Sequence, residues 1–592
     1  MRKIIQIGVA ALLFLYGATF AHAADFQADY DINYAVSPTG NTIVTQNVTL
    51  TNKQSNLYPK QYSIILDTKN LKNIIAYDKK GVITPKIIAQ GDKTEIQLVF
   101  NDHVVGLGKS MTFSLRYEST DIAEHLGNIW EIHIPGIEDD PSIGAYTVTL
   151  QRPDSFGPNA YMLPPPARGM TWERYQLLTG GVTAAFGEYQ SFKAEISYPI
   201  ENSRITSGIY EITIPPDTAF QKVVIKSIEP KPKNIIKDED GNWIAKYELT
   251  AGQKLEVKTA LDIFVYINPR KEWKQEQMNV NAYTLKQPFW EIDNELIKST
   301  AKSLTTPKAI YSYVEKTLSY DYARAAIGPD RKGAVQALQS PKTSVCTEFT
   351  DAFVALARAA NIPSRAAIGY AYTTNPKLRP TLTTADILHA WPEYYDATKN
   401  LWIPIDPTWA NTTKGINYFD KLDFNHIVFA YHGISSELPY PAGSYKAGDT
   451  PKKTIAISFA EQKIQTTKEK YAATFDISTK VTAGTETGGF VVIENASATP
   501  VEVMTVEIQV LPNGTKKTET QKNIPPYGKI SIPIVISIPG YLEKGVGKIN
   551  VSVNGQTFSQ TYEIQPMYWI FVPIFCIIAS LLLLVWILLK KR

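Results

Sequence analysis

Residues 342–365 read KTSVCTEFTDAFVALARAANIPSR and contain Cys346, one of only two cysteines among 592 residues. From Phe349 onward, apolar residues recur at the i, i+3, i+4, i+7 spacing of one helix face. Asn361 comes directly before Ile362 and Pro363, and asparagine tolerates the left-handed geometry in which helices often end. We therefore predict a helix that begins near Cys346 and ends near Asn361.

The predicted position of Cys346 is typical of a nucleophile. In the first helical turn, unpaired amides and the helix dipole favour a thiolate, whereas a structural cysteine would lie in the middle of the apolar stripe. The other cysteine, Cys576, lies in an apolar tail, so we expect no disulfide in the remainder of the chain. The competing interpretation is that Cys346 is an inert, buried hydrophobic residue.

A second segment, HAWPEYYDATKNLWIPIDPTW at residues 389–409, predicts an acid/base group and the carboxylate that orients it. Its pattern indicates a β-hairpin with the turn at residues 396–399. If Tyr395 pairs with Asn400, then His389 lies opposite Asp406, with Cβ atoms about 4.5 to 5.5 Å apart. A thiolate nucleophile needs such an acid/base group. Taken singly, His389 would be an ordinary hairpin histidine and Asp406 a turn residue.

Other polar residues of this region have no such partners in the sequence pattern. His426 and His432 lie in a loop-rich stretch without a spaced carboxylate, so we expect surface positions or second choices for catalysis. His, Cys and acidic residues show no metal-ligand spacing here, so we expect neither a metal nor a cofactor. Tyr320 is a candidate second donor to an oxyanion, beside the Cys346 amide.

Three motifs resemble the transglutaminase-like superfamily over about residues 286–432. They are SVCTEFTDAFVALARAANIPSRAAIGYAY (residues 344–372), HAWPEYY (389–395) and WIPIDPTW (402–409). The resemblance implies a papain-like α+β core in which Cys346 is the nucleophile, His389 the acid/base and Asp406 its orienting residue. Two positions depart from the family pattern, because Ser344 and Asn361 stand where glycines are usual.

This resemblance implies attack of the Cys346 thiolate on an amide of a protein or peptide, with a thioester intermediate. Transfer of the thioester to a lysine amine would give an isopeptide crosslink, whereas transfer to water would give amidase or peptidase activity. A third hypothesis, from another class, is a surface binding or assembly protein with a vestigial triad. The three hypotheses stay open at this point.

The remaining sequence predicts a multidomain chain around the central α+β core. Short alternating runs separated by Gly, Pro, Asn and Asp are typical of antiparallel β-sandwiches. We predict a signal peptide at 1–23, a β-sandwich at 24–200, a β-rich domain at 201–270, the transglutaminase-like domain at 271–445, an immunoglobulin-like β-sandwich stalk at 450–565, a transmembrane helix at 568–589 and a cytoplasmic tail at 590–592.

Charge and hydropathy predict where the chain is located. Residues 568–589 carry no charge and are long enough to cross a hydrocarbon core of about 30 Å. They are followed by Lys590, Lys591 and Arg592, which predicts a cytoplasmic C-terminus and a large extracytoplasmic part anchored in the cell membrane. The net charge of +3 arises from 60 basic and 57 acidic residues without long runs of one sign, so we expect no nucleic-acid partner.

Overall fold

The chain, described as a computed structural model, is mostly β-strand. The structure describes residues 25–91, 93–178, 181–276, 278–328, 330–372, 388–413, 417–445, 453–464 and 468–590. Contacts divide it into one unit of residues 1–124, 132–155 and 164–182, and a second of 125–131, 156–163 and 183–592. The predicted signal peptide at 1–23 lies outside the described residues.

Strands dominate the first part of the chain, where sequence alternation is matched by alternating burial. In the second strand, for example, Thr42, Val44, Gln46 and Val48 are buried and the residues between them are not. The elements are β1 (Phe26–Val36), β2 (Thr42–Asn52), β3 (Gln61–Leu66), β4 (Leu71–Asp78), β5 (Gly81–Ile83), β6 (Lys86–Gln90), β7 (Lys93–Val99), β8 (Ser110–Ser119), β9 (Ala123–Leu126), β10 (Ile129–Ile134), β11 (Ile143–Gln151), β12 (Asn159–Leu163), β13 (Thr171–Glu173), α1 (Arg174–Leu177) and β14 (Val182–Phe186).

These strands form three sheets. The strand orders are β13-β11-β1-β2-β8-β4-β5, β3-β7-β6 and β12-β14-β10-β9. Strands β1 and β11 are parallel, whereas β1 and β2 are antiparallel along their whole length.

A further pair of sheets precedes the segment that contains Cys346. Its strands are β15 (Gln190–Glu201), β16 (Gly208–Ile214), β17 (Gln221–Glu229), β18 (Asn234–Lys237), β19 (Trp243–Leu249) and β20 (Lys254–Val265). The strand orders are β16-β19-β18 and β17-β20-β15-β25, and the last strand, β25 (Ile455–Ala460), follows the segment with Cys346 in the chain. Because β15 pairs with both β20 and β25, this one sheet contains strands from more than one of the domains predicted from sequence. The domain boundaries remain predictions.

The central segment has helices on one sheet, as an α+β core requires. Its elements are α2 (Glu295–Ala301), α3 (Pro307–Thr317), α4 (Tyr322–Ala325), α5 (Ala334–Gln339), α6 (Cys346–Ala359), β21 (Ser364–Ala371), β22 (His389–Asp396), β23 (Leu401–Pro404), α7 (Pro407–Thr412) and β24 (His426–His432). The four strands form a sheet in the order β23-β22-β21-β24. Helix α6 shares a hydrophobic cluster with this sheet through Phe349, Phe353 and Trp391.

The predicted limits of the cysteine-bearing helix are confirmed. Helix α6 begins at Cys346, and Asn361 adopts φ 61° just beyond its end. At the start of α3 the Thr306 hydroxyl accepts a hydrogen bond from the Ala309 backbone amide.

The predicted register of the hairpin is wrong by two positions. Tyr395 pairs with Trp402 rather than with Asn400, because β22 continues to Asp396 and the loop follows it. The Asp396 carboxylate accepts hydrogen bonds from the Thr398 and Lys399 amides, and Asn400 completes the reversal with φ 50°. A shift of two preserves which side chains share a face. Strand β23 ends at Pro404, so Asp406 is not part of the strand pairing.

Two buried arginines join α6 and the sheet to the chain around them. Arg358 donates to the carbonyl oxygens of Leu285, Ser364 and Gly433, and its guanidinium lies 4.3 Å from the centre of a Trp290 ring. Thus a single cation satisfies carbonyls from three separate segments.

The second arginine, Arg365 of β21, forms an ion pair with Glu393 of β22 at 2.7 Å, and both side chains are almost fully buried. Its guanidinium also stacks 3.5 Å from the Tyr431 ring centre and donates to the Asp240 carbonyl.

The C-terminal part contains two sheets that share one core. The elements are β26 (Tyr471–Asp476), β27 (Lys480–Thr482), β28 (Glu486–Asn495), β29 (Val501–Leu511), β30 (Thr515–Ile524), β31 (Lys529–Ser537), β32 (Gly545–Val553), β33 (Gln556–Gln565) and α8 (Phe571–Lys590). The strand orders are β26-β28-β31 and β27-β33-β32-β29-β30, with Val491 and Ile534 of one sheet and Val506 and Ile549 of the other in one cluster. Within the described residues, α8 is the one helix long and apolar enough to cross a membrane.

We predict that Glu393→Gln destabilises the central segment by about 3–5 kcal/mol, because it leaves the Arg365 charge buried without its partner. Unfolding in denaturant, followed by the fluorescence of tryptophans such as Trp402 near Arg365, measures the change. The control is Glu248→Gln, which removes an exposed ion pair with Lys233 and should leave the free energy of unfolding almost unchanged. Similar losses in both variants would contradict the prediction.

Candidate active site

Cys346 is the first residue of α6, and its side chain is partly exposed. The first amides of a helix have no partner within the helix. At the start of α6, the Val345 backbone amide donates a hydrogen bond to the Glu348 carboxylate at 2.9 Å. The Cys346 amide remains beside its own thiol, where it can donate to a substrate oxygen.

Glu348 fixes the start of α6 from beneath. Its side chain is completely buried and accepts hydrogen bonds from the Arg324 guanidinium at 2.5 and 3.2 Å and from the Lys332 amide at 3.0 Å. Arg324 in turn donates to the Thr343 carbonyl, just before the cysteine. The ion pair between Glu348 and Arg324 therefore fixes the backbone just before Cys346.

The structure brings Cys346, His389 and Asp406 together. His389 Nε2 lies 2.8 Å from Asp406 Oδ2, and the Cys346 thiol is close enough to the His389 ring to contribute to its raised pKa. Burial lowers the pKa of His389, but the charge of Asp406 and the hydrogen bonds more than offset this and raise it to about 9. An imidazolium therefore stands beside the thiol at neutral pH.

Asp406 reaches His389 by a route that differs from the predicted strand pairing. It is the N-cap of α7, and its Oδ1 accepts hydrogen bonds from the Thr408 and Trp409 amides at 2.8 and 3.0 Å. Its Oδ2 is thereby free to face the imidazole. Burial raises the pKa of Asp406, but the charge of His389 and the hydrogen bonds from His389 and His426 lower it well below its usual value.

The surface positions predicted for the other two histidines are wrong, because both are buried. His426 Nε2 lies 3.1 Å from Asp406 Oδ2, and His426 Nδ1 lies 2.8 Å from Asp423 Oδ1. His432 contacts the Pro439 carbonyl through Nε2 at 2.9 Å, and burial lowers the pKa of His432 to about 4. Asp423 stands three residues before His426 in the sequence, and this spacing was the signal that could have revealed the pair.

The donor atoms of His389, Asp406 and His426 lie within 4.8 Å of one another, an arrangement that could hold a metal ion. The spacing in sequence gave no sign of this cluster, since 17 and 20 residues separate the histidines from Asp406. Both imidazole–carboxylate distances, 2.8 and 3.1 Å, are those of N–H···O hydrogen bonds. We therefore assign the contacts as hydrogen bonds.

Tyr320 lies beside the cysteine. It forms an isolated parallel bridge with Ser344, and its ring meets that of Tyr322 edge-on at 4.9 Å. Burial raises the pKa of Tyr320, and the neighbouring Cys346 raises it further. The Tyr320 hydroxyl thus remains a protonated hydrogen-bond donor near the thiol.

A cavity of about 230 Å³ adjoins His426. His426, Asp423, Trp391 and Glu393 are among its lining residues, and Cys346 is not. The indole nitrogen of Trp391 is buried without a hydrogen-bond partner among the described residues. This cavity is therefore not the place where a substrate meets the thiol.

Residues 291–407 match the family model of the transglutaminase-like superfamily. This range contains Cys346, His389 and Asp406, whereas His426 lies beyond it. The chain therefore carries a transglutaminase-like domain in the segment where the sequence motifs predicted one.

Solved structures similar to this chain include a candidate cysteine protease from Cytophaga hutchinsonii, at 14% identity, with a TM-score of 0.29 and coverage of 46% of this chain and 98% of that one. Another is the CARDB domain of a Pyrococcus furiosus protein, solved with di-metal ions, at 14% identity, with a TM-score of 0.15 and coverage of 17% and 94%. No curated protein sequence matches the chain at a significant level.

We predict that the stability of the wild type relative to Asp406→Asn falls as pH rises from 6.5 to 9. The pKa values of His389 and His426 are raised from 6.5 to about 9, so protonation favours the folded state. Their contribution is complete below pH 6.5 and is lost as pH passes 9. Replacing Asp406 removes the carboxylate that both rings share.

Unfolding midpoints of both proteins at several pH values measure this difference. The buried His432 is present in both proteins, so its titration cancels in the comparison. Asp396→Asn, at the hairpin loop, is the control. Its difference in stability from the wild type should not vary with pH over this interval. A difference between wild type and Asp406→Asn that is independent of pH would contradict the prediction.

Proposed function

We propose that the chain is a membrane-anchored, extracytoplasmic thiol enzyme that acts on amides of proteins or peptides through Cys346, His389 and Asp406. The observation that supports it most is the 2.8 Å contact between His389 Nε2 and Asp406 Oδ2, with the Cys346 thiol at the start of α6 near enough to raise the pKa of His389. The transglutaminase-like domain at residues 291–407 supports the same reaction class. These three residues have the roles of nucleophile, acid/base and orienting group.

In the first half-reaction the Cys346 thiolate attacks the carbonyl carbon of the amide. The oxygen becomes negatively charged, and the Cys346 amide stabilises it. The Tyr320 hydroxyl is the second donor that we assign to this oxygen, on the basis of its place beside the thiol. His389 then gives its proton to the nitrogen, the C–N bond breaks, and a thioester and a free amine remain.

In the second half-reaction a new nucleophile attacks the thioester carbon. His389, now neutral, accepts a proton from this nucleophile, and the Cys346 thiolate leaves. Attack by a lysine amine forms an isopeptide bond, and attack by water releases a carboxylic acid. Asp406 retains its charge throughout, because its four hydrogen-bond donors stabilise the carboxylate form.

Helix α8 supports the proposed membrane anchor. It spans Phe571–Lys590 without an internal charge, and its side chains are exposed rather than packed against the protein. Lys590 lies at its C-terminal end, with its ammonium 4.8 Å from the Trp586 ring centre. Lys591 and Arg592 lie outside the described residues. The basic C-terminal residues favour the cytoplasmic side.

We predict that Cys346→Ala abolishes turnover and that Asp406→Asn lowers it by about 10²–10⁴-fold while the fold is retained. Glutamine-containing peptides serve as substrates, with ammonia release as the assay. Intact-mass spectrometry of enzyme quenched in acid should detect the acyl group on Cys346. The control Asp396→Asn, with a carboxylate bound to its own loop, should keep wild-type activity.

Addition of a lysine-like amine separates the two outcomes of the thioester. Incorporation of the amine into the peptide identifies transamidation, and conversion to the acid alone identifies hydrolysis. If wild type and Cys346→Ala both lack turnover and acylation on such peptides, the amide-directed reaction is wrong and the binding-protein hypothesis gains support.

We also predict that the large N-terminal part is extracytoplasmic. Protease added to intact spheroplasts should digest the segments before α8. A cytoplasmic marker protein should remain undigested in the same spheroplasts. Digestion only after the cells are lysed would place these segments in the cytoplasm and contradict the proposed anchoring.

A further inference from the structure

A second histidine binds the same carboxylate as His389. We propose that His426, oriented by Asp423, is a positioning residue for the reaction at Cys346: as a buried cation, it fixes Asp406 and sets how strongly the His389 proton is held. This inference rests on the proposed function and deepens it by adding a second imidazole–carboxylate pair to the site.

The hydrogen bonds of His426 identify its charged form. Its Nε2 lies 3.1 Å from Asp406 Oδ2, and its Nδ1 lies 2.8 Å from Asp423 Oδ1. An ionised carboxylate only accepts hydrogen bonds, whereas a neutral imidazole has a single N–H. Both contacts are satisfied together only by the imidazolium, which donates from each nitrogen.

The electrostatics agree with this assignment. Burial lowers the pKa of His426, but the charge of Asp423 and the hydrogen bonds to Asp406 and Asp423 raise it to about 9. The ring is therefore cationic at neutral pH, although its side chain is only 2% exposed. A cation at this depth needs both of its carboxylate partners.

Packing keeps the His426 ring in one orientation. The edge-on contact with Trp409 has a centroid distance of 4.6 Å, and that with Trp391 has one of 5.0 Å. Asp423 is also restrained, because its Oδ1 accepts a hydrogen bond from the Asn425 amide at 2.8 Å. The position of Asp406 Oδ2 is thus determined from the side of β24 as well as by α7.

The charge of His426 acts on His389 through the carboxylate that they share. The charged groups that face His426 are Asp423 before β24, Asp406 before α7 and His389 of β22, and those lining the adjoining cavity are Glu393, Lys399, Asp420 and Lys421. The two imidazole rings lie 5.5 Å apart. A cation at this distance disfavours a second one. His426 therefore keeps the pKa of His389 lower than Asp406 alone would, and a weaker hold on the proton makes His389 a better acid.

The first test is His426→Gln, which keeps a donor for Asp406 but removes the charge. We expect kcat/KM to fall about 10- to 100-fold, as is usual when a partner behind a functional histidine is lost, with little change in KM. The alkaline limb of the pH profile reports loss of the His389 proton. Removing the neighbouring cation should move this limb upward by about one pH unit.

The matched control is His432→Gln. His432 is a buried histidine of the same strand, and it contacts the Pro439 carbonyl. A role confined to packing predicts that both variants lose stability and that neither moves the alkaline limb. The inference is overturned if His426→Gln remains folded and its pH profile has the same limb as the wild type.

Chemical rescue tests the two-carboxylate bridge in His426→Ala. The cavity of about 230 Å³ lined by His426 and Asp423 has room for imidazole. We expect imidazole to restore turnover, and 1-methylimidazole to restore much less, because its cation has one N–H and cannot bridge both carboxylates. Equal rescue by both compounds, or no rescue by imidazole, would count against the bridge.

A measurement without substrate separates this inference from the proposed function. Since the folded pKa of His426 is about 9 against 6.5, its contribution to stability is complete below pH 6.5 and lost as pH rises through 9. The stability difference between wild type and His426→Gln should shrink over that interval. For His432→Gln the trend lies instead below pH 6.5, because burial lowers the pKa of His432 to about 4.

The combinations of results are distinguishable. An inactive wild type with the expected pH-dependent stability refutes the proposed function, and the positioning role with it, while the buried imidazolium stands. An active wild type whose stability difference from His426→Gln is the same at pH 6.5 and pH 9 refutes the inference and leaves the proposed function intact.

Discussion

The candidate site depends on one buried carboxylate. Asp406 is completely inaccessible to solvent, and four donors surround it: the two first amides of α7 on Oδ1 and two imidazoles on Oδ2. Ionised carboxylates are expensive to bury unless hydrogen bonds replace their water. The same residue therefore caps a helix, aligns His389 on β22 and joins both to His426 on β24.

Other buried ions hold the elements that meet at this carboxylate. Arg358 and Arg365, on either side of the end of α6, bind backbone carbonyls and Glu393 respectively, and both stack on aromatic rings. Glu348 anchors the first turn of α6 to Arg324. The apolar cluster packs α6 against the sheet, and the buried arginines bind carbonyls of the segments around them.

Local patterns predicted the local structure well. The helical spacing after Cys346 and the asparagine at its end predicted both limits of α6, since caps and periodicity act over a few residues. The proximity of His389 and Asp406 was also predicted, but from the wrong strand register. The turn is stabilised by hydrogen bonds to the Asp396 carboxylate and differs from the predicted one. Asp406 reaches His389 as the N-cap of α7 and not as a strand residue. The contact of His426 with Asp406 was not predicted, because it depends on the sheet order β22-β21-β24, which no short motif encodes.

The pairing of β25 with β15 has a mechanical consequence under the proposal that α8 anchors the chain in a membrane. Tension along the chain would enter from α8 and the C-terminal sheets and would reach β25 first. Because residues 455–460 pair with β15, that load would pass directly into the sheet that precedes the segment with Cys346. The segment between β20 and β25, which includes Cys346, would be bypassed. Tension on α8 would therefore stretch the linkages around the candidate active site before it distorted the site itself.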